Sequence, residues 1–85
     1  MIPAVNHSKI EMVPVESSNI KAVGYDEENK VLKVEFLNGG TYIYTNVEPY
    51  HFKNITTNVK SVGRYFIENI RKNADKYQSF NVTEK

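Results

Sequence analysis

Val31-Leu32-Lys33-Val34-Glu35-Phe36-Leu37-Asn38-Gly39-Gly40-Thr41-Tyr42-Ile43-Tyr44-Thr45-Asn46-Val47 decides the fold. Leu32, Val34 and Phe36 alternate with Lys33 and Glu35, the period of a strand with one buried face. Asn38-Gly39-Gly40 supplies turn chemistry, and residues 41–47 are rich in β-branched and aromatic side chains, so the stretch reads as a hairpin. Two registers are open. A two-residue Asn-Gly turn pairs Leu37 with Gly40 and puts Ile43 on the face of Val34. A three-residue loop, with Gly40 in the left-handed bulge position, pairs Leu37 with Thr41, Phe36 with Tyr42 and Val34 with Tyr44. The second is favoured because it collects Leu32, Val34, Phe36, Tyr42 and Tyr44 on one apolar face. A one-residue slip would send both tyrosines to the other side.

Upstream, residues 19–25 read as a strand that closes with Gly24 and leads into the polar turn Asp26-Glu27-Glu28-Asn29. The result is a three-strand meander. Downstream, Pro49 suits the first position of a short helix over residues 50–55, with Glu48 placed well for the helix dipole. Thr56-Thr57-Asn58 is a break and cap, and a second helix is expected over residues 59–73. Its apolar stripe is Val59, Val62, Phe66, Ile67 and Ile70, with Gly63 inside it. Glycine there costs about 1 kcal/mol relative to alanine, and its return is close approach of the helix to the sheet or of backbone to a ligand.

Three segments follow: an arm (residues 1–16), the domain (17–77) and a frayed tail (78–85), with Tyr77 just before the tail and Phe80 within it as the residues able to dock. Pro14 bars a helix in the arm and confines any strand there to an edge. The arm either packs on its own domain or reaches a neighbouring subunit. The expected fold is α+β: an antiparallel three-stranded meander packed against two C-terminal helices, with the arm as a candidate edge strand.

With 85 residues and 9.8 kDa there is room for one small domain. Hydrophobic residues at 40% and charged residues at 25% suit a globular chain. No apolar run approaches the roughly 20 residues that span a bilayer, and the N-terminus lacks a signal peptide's basic start. Cysteine is absent, which excludes a disulfide scaffold, thiol redox chemistry and Cys-ligated zinc. A cytoplasmic protein without membrane partners is expected. Eleven basic and ten acidic residues give a net charge of +1, far from the balance of a typical nucleic-acid module. Residues 31–85 hold eight basic groups against five acids, which suits a compact ligand with few phosphates better than a long polyanion.

Catalytic patterns are missing. His7 and His51 are the only histidines, in unlike contexts and without an i, i+4 partner, and both read as surface residues. There is no nucleophile elbow, P-loop or dinucleotide fingerprint. A non-enzyme without metal or cofactor is expected. Tyr42 and Tyr44 either bury their rings on the core face and show only hydroxyls, or form a platform for a base. Ser61, Gly63, Arg64 and Tyr65 are the best candidate site. Free amides at the start of the second helix favour an anion, and Arg64 adds a bidentate phosphate contact. The plainer reading of Arg64 is an i, i+4 ion pair with Glu68. Ser18 and Asn19 belong to the same rim or simply cap the first strand.

Ser17-Ser18-Asn19-Ile20, Gly24-Tyr25-Asp26, Leu32-x-Val34-x-Phe36, Gly40-x-Tyr42-x-Tyr44, Val47 and Ser61-x-Gly63-x-Tyr65-Phe66-x-x-x-Ile70-Arg71 together resemble the KTSC domain. That family takes its name from the C-terminal domain of some lysyl-tRNA synthetases and also occurs as small stand-alone bacterial and phage proteins. The resemblance covers roughly residues 15–77. It departs at Ile67, where the family often has Asn, and in the late position of Tyr77. Three functions are carried forward. The first is a non-catalytic protein that binds and sequesters a nucleotide-type small molecule, in the manner of a phage immune-signal sponge and as a homo-oligomer. The second, implied by the synthetase association and the Tyr-x-Tyr strand, is a module for short single-stranded RNA or tRNA. The third is a protein–protein adaptor.

Overall fold

The computed structural model describes residues 7–57 and 61–83. Their strands are β1 (Met12–Pro14), β2 (Ile20–Asp26), β3 (Val31–Phe36), β4 (Thr41–Tyr44) and β5 (Ser79–Asn81). They form one antiparallel sheet in sequence order, so three strands become five. The arm supplies β1 at one edge, where Pro14 is tolerated. The other addition corrects the expected frayed tail. Residues 79–81 pair with β4, and Val82 N–H donates to the Thr41 carbonyl (2.9 Å), because the hairpin leaves an unpaired edge on β4.

The hairpin keeps the favoured three-residue loop but starts it one residue earlier. Phe36 pairs with Gly40 through its N–H (2.8 Å), and Gly39, not Gly40, takes the left-handed position with φ 97°. Asn38 Oδ1 accepts from Gly40 N–H (2.9 Å) and fixes that choice. Tyr42 therefore lies opposite Val34, and Tyr44 opposite Leu32. The displacement is even in residues, so both tyrosines stay on the expected face.

Against that face pack α1 (Pro49–Thr57) and α2 (Val62–Asn69), followed by a 3₁₀ turn at Arg71–Asn73. The core joins Ile20, Val23, Leu32, Val34 and Tyr44 of the sheet to Ile55, Val62, Phe66, Ile70 and Tyr77. A smaller cluster of Val31, Ile43 and Val82, with Ile10 and Phe80 against it, closes the opposite face. The second helix is shorter than its stripe suggested. Ser61 is its N-cap, accepting from Arg64 N–H (3.4 Å), and Ile70 ends it; Asn58 and Val59 lie outside the described residues. Thr56 and Thr57 continue α1 instead of breaking it, their hydroxyls donating to the Phe52 and Lys53 carbonyls. Gly63 gives the expected close approach: a Cβ there would collide with Asn19 Oδ1, itself held by Ser17 Oγ (2.8 Å).

Candidate functional site

The eight residues singled out from sequence separate into three places. Tyr42 and Tyr44 line a groove of about 290 Å³ with Phe36, Arg71, Tyr77 and Ser79. Tyr44 is buried in the core, edge-on to Phe66 at 5.1 Å, so its ring is no platform. Tyr42 is half-buried and meets Phe36 edge-on at 5.9 Å. Burial raises the Tyr44 hydroxyl above the usual tyrosine range, and the positive charge of exposed Arg71 partly offsets this. The groove thus carries an accessible aromatic ring, a cation and hydroxyl edges.

Asn19 and Gly63 meet at the junction of β2 and α2, beside Ser17. Ser18 is exposed next to them. Ser61 is spent on its cap, and exposed Arg64 stands 4.0 Å from Glu68, as the ion-pair reading expected. A pair so exposed contributes little. None of these residues lines the tyrosine groove.

Tyr65 joins a chain that the sequence did not disclose. His51 corrects the surface assignment: it is buried, 4% exposed, between Tyr65 and Tyr77. The proton positions follow from the ends of the chain. Tyr77 O–H donates to Glu48 Oε1 (2.7 Å), so its oxygen accepts from His51 Nε2–H (3.1 Å). A neutral ring then leaves Nδ1 as acceptor for Tyr65 O–H (2.9 Å), whose oxygen accepts from Asn54 Nδ2 (3.0 Å). Burial lowers the His51 pKa, which keeps the ring neutral. Glu48 also receives Lys76 Nζ (2.7 Å) and Tyr50 O–H (3.2 Å). One signal could have placed His51: it lies four residues before Ile55, on the inward face of α1.

Hydrogen bonds from Lys76 and Tyr77 hold the Glu48 carboxyl down at about 2, against an ordinary 4.5. Its contribution to stability is therefore complete above the ordinary value and fades as pH falls toward about 2. In acid melts followed by circular dichroism, Glu48→Gln should lower the melting temperature at neutral pH and flatten its decline in acid. Parallel wild-type and variant curves would contradict this account.

A hollow of about 620 Å³ between the arm and the β2–β3 turn fits an anion less well, being lined by Glu11, Asp26, Glu27 and Glu28 against one Lys9. Four carboxylates repel phosphate. Among the described residues no cluster of three metal-ligating side chains occurs, and no helix is long and apolar enough to cross a membrane.

Comparison with known proteins places this geometry among relatives. The model of the KTSC domain matches residues 16–82. A protein of Tsukamurella paurometabola is 43% identical over 54 residues, covering 64% of this chain and 79% of its own. A protein of Stutzerimonas stutzeri is 35% identical over 57 residues, covering 67% and 79%. The crystal structure of a KTSC domain protein from Yersinia pestis superposes with a TM-score of 0.74 at 32% identity, covering 86% of this chain and 97% of that one.

Proposed function

Because the chain belongs to the KTSC domain family, we propose a function at the groove that this fold builds between the β3–β4 hairpin and the segment after α2: non-catalytic binding, and thereby sequestration, of a nucleotide-type small molecule. The observation that carries the reading is the juxtaposition of half-buried Tyr42 with exposed Arg71 in one groove. A base stacks on the accessible ring, and the guanidinium takes the phosphate. At about 290 Å³ the groove lies just below the roughly 300–1,000 Å³ of small-molecule sites, which limits it to a ligand no larger than a mononucleotide. A net charge of +1 argues in the same direction, since a polymer would ask for a longer basic track. This reading takes Arg71, not Arg64, as the anion partner. Subunit association belongs to the proposal, with Leu37 and Tyr50, each more than half exposed, as contact candidates.

Calorimetry with the four common nucleoside monophosphates tests it, with native mass spectrometry of the same sample for subunit number. Tyr42→Ala should weaken binding by about 5- to 150-fold, the worth of one stacked base at about 1–3 kcal/mol. Arg71→Glu should abolish it, while Arg64→Ala should leave it unchanged. Absence of heat with every monophosphate, or loss on Arg64→Ala alone, would remove this reading. Salt-sensitive binding of short single-stranded RNA without monophosphate binding would transfer the function to RNA.

A further inference from the structure

Asn38 lines the groove with its hydrogen-bonding sense already fixed. Its side chain meets the Gly40 N–H at 2.9 Å, and a backbone N–H can only donate, so the atom facing it is Oδ1. Turned over, the amide would set donor against donor and break the bond that closes the loop. Nδ2 therefore points away from the turn, on an exposed residue, with two N–H groups that have no partner among the described residues. The hydroxyls of Tyr42, Tyr44 and Ser79 in the same groove behave differently, because an O–H rotates to donate or accept as its partner requires. They can hold a base without discriminating. Asn38 Nδ2 can only donate.

Its place along the groove fits that role. Asn38 Oδ1 and Tyr42 Cε1 lie 3.3 Å and 3.5 Å from the point where a Cβ on Gly40 would stand, so the amide sits beside the ring. Tyr44, two residues further along β4, is the tyrosine whose hydroxyl feels the Arg71 charge. From Gly40 to Tyr44 the strand advances about 13 Å at the usual rise per residue. The groove thus presents amide, ring and guanidinium in succession, which is the order of base edge, base face and phosphate in an extended mononucleotide.

We infer that the groove selects keto bases: Asn38 Nδ2 donates to O6 of guanine or hypoxanthine, or to O4 of uracil, and disfavours the amino groups of adenine and cytosine. The inference rests on the nucleotide reading above and adds which bases are taken. Adenine carries an amine where guanine carries a carbonyl oxygen, and cytosine does so where uracil carries one. Facing a fixed donor, the oxygen forms a hydrogen bond and the amine does not. The common pairing of Asn with adenine uses both amide atoms, Oδ1 accepting from N6 and Nδ2 donating to N7, and here Oδ1 is committed to Gly40. One neutral hydrogen bond at a half-open site is at stake, so the preference should be about fivefold to tenfold.

The test is calorimetry with two matched pairs, IMP against AMP and UMP against CMP. Within each pair sugar, phosphate and ring outline are shared, and the difference lies at the keto or amino group and the ring nitrogen beside it. The wild type should bind IMP about fivefold to tenfold tighter than AMP, and UMP tighter than CMP in the same sense. Asn38→Asp keeps an oxygen for the Gly40 N–H and places an acceptor where Nδ2 stood. It should reverse the order within each pair, whatever its negative charge does to affinity as a whole. Asn38→Ala, which adds no charge, should level both pairs, and it decides the matter if the aspartate variant binds too weakly to rank. Equal affinities within both pairs in the wild type, or a preference that survives unchanged in Asn38→Ala, would overturn the role of Asn38 and leave nucleotide binding standing. Binding of none of the four would overturn both.

Discussion

Phe66→Ala is expected to bring the protein to the edge of unfolding at room temperature. Phe66 is fully buried and is the largest side chain at the centre of the sheet–helix interface. It packs edge-on against Phe36 at 5.8 Å and Tyr44 at 5.1 Å, so its ring is shared by α2, β3 and β4. Truncating such a residue costs about 3–5 kcal/mol in lost transfer energy and cavity. A chain of this length has about 4–13 kcal/mol in total, at the usual stability per residue. The sheet cannot collapse into the void, because β3 is held on both sides by strands. Urea unfolding followed by tyrosine fluorescence should show the midpoint reduced by half or more. Phe66→Leu, which keeps most of the volume, should recover much of the loss. A loss under about 1.5 kcal/mol for the alanine variant would mean that this core is not the one holding the domain together.

The same packing explains what the sequence could and could not disclose. The apolar face was legible because alternation is an even-odd property: Leu32, Val34, Phe36, Tyr42 and Tyr44 share a side in any register displaced by two residues. The pairing partners were not, since they depended on which of Gly39 and Gly40 took the left-handed position. That choice was made by the Asn38 side chain. Strand β5 is three residues long and carries no period of its own; it exists because β4 offers an edge and Tyr77 delivers the chain to it. The end of α2 was misplaced because Arg71 and Lys72 continue a helical pattern while the backbone tightens into a 3₁₀ turn.

Within the candidate site, the tyrosines and the close approach at Gly63 were visible as local patterns. The His51 chain was not. Its hydrogen-bond partners lie 14 and 26 residues away, and burial of a polar ring becomes acceptable only after both are present. Arg71 follows Ile70 in the sequence with no local sign of an anion partner, because its position in the groove depends on the turn that ends α2. Residues chosen by local chemistry, such as Ser61 and Arg64, proved to have local partners.

The second large effect is expected at Gly24, and there the sign is informative. Gly24 lies inside β2 at the end of the β1–β2 ladder, opposite Met12, with no left-handed backbone to protect. On conformational grounds alone, alanine at such a position should stabilise the protein by about 0.4–1 kcal/mol by restricting the unfolded chain. The surroundings reverse this. An added Cβ would lie 2.5 Å from the Glu11 carbonyl oxygen, 2.7 Å from Ile10 Cγ2 and 2.8 Å from Met12 Sδ. The first of these is backbone, so no side-chain rotation relieves it, and the arm must move outward. Overpacking of this kind costs about 1–3 kcal/mol. The cost should be local, because β1 is an edge strand of three residues while β2 keeps its ladder to β3. Hydrogen exchange should therefore show the Val13 amide losing protection in Gly24→Ala while those of Val34 and Ile43 keep theirs. Limited proteolysis should open a site in the arm. An increase in melting temperature with Val13 still protected would mean that the arm does not cross Gly24 in contact. If Val13 is released, Val31 and Ile43 lose the cover of Ile10 but keep Phe80 and Val82, so the back face becomes half-open and the domain survives.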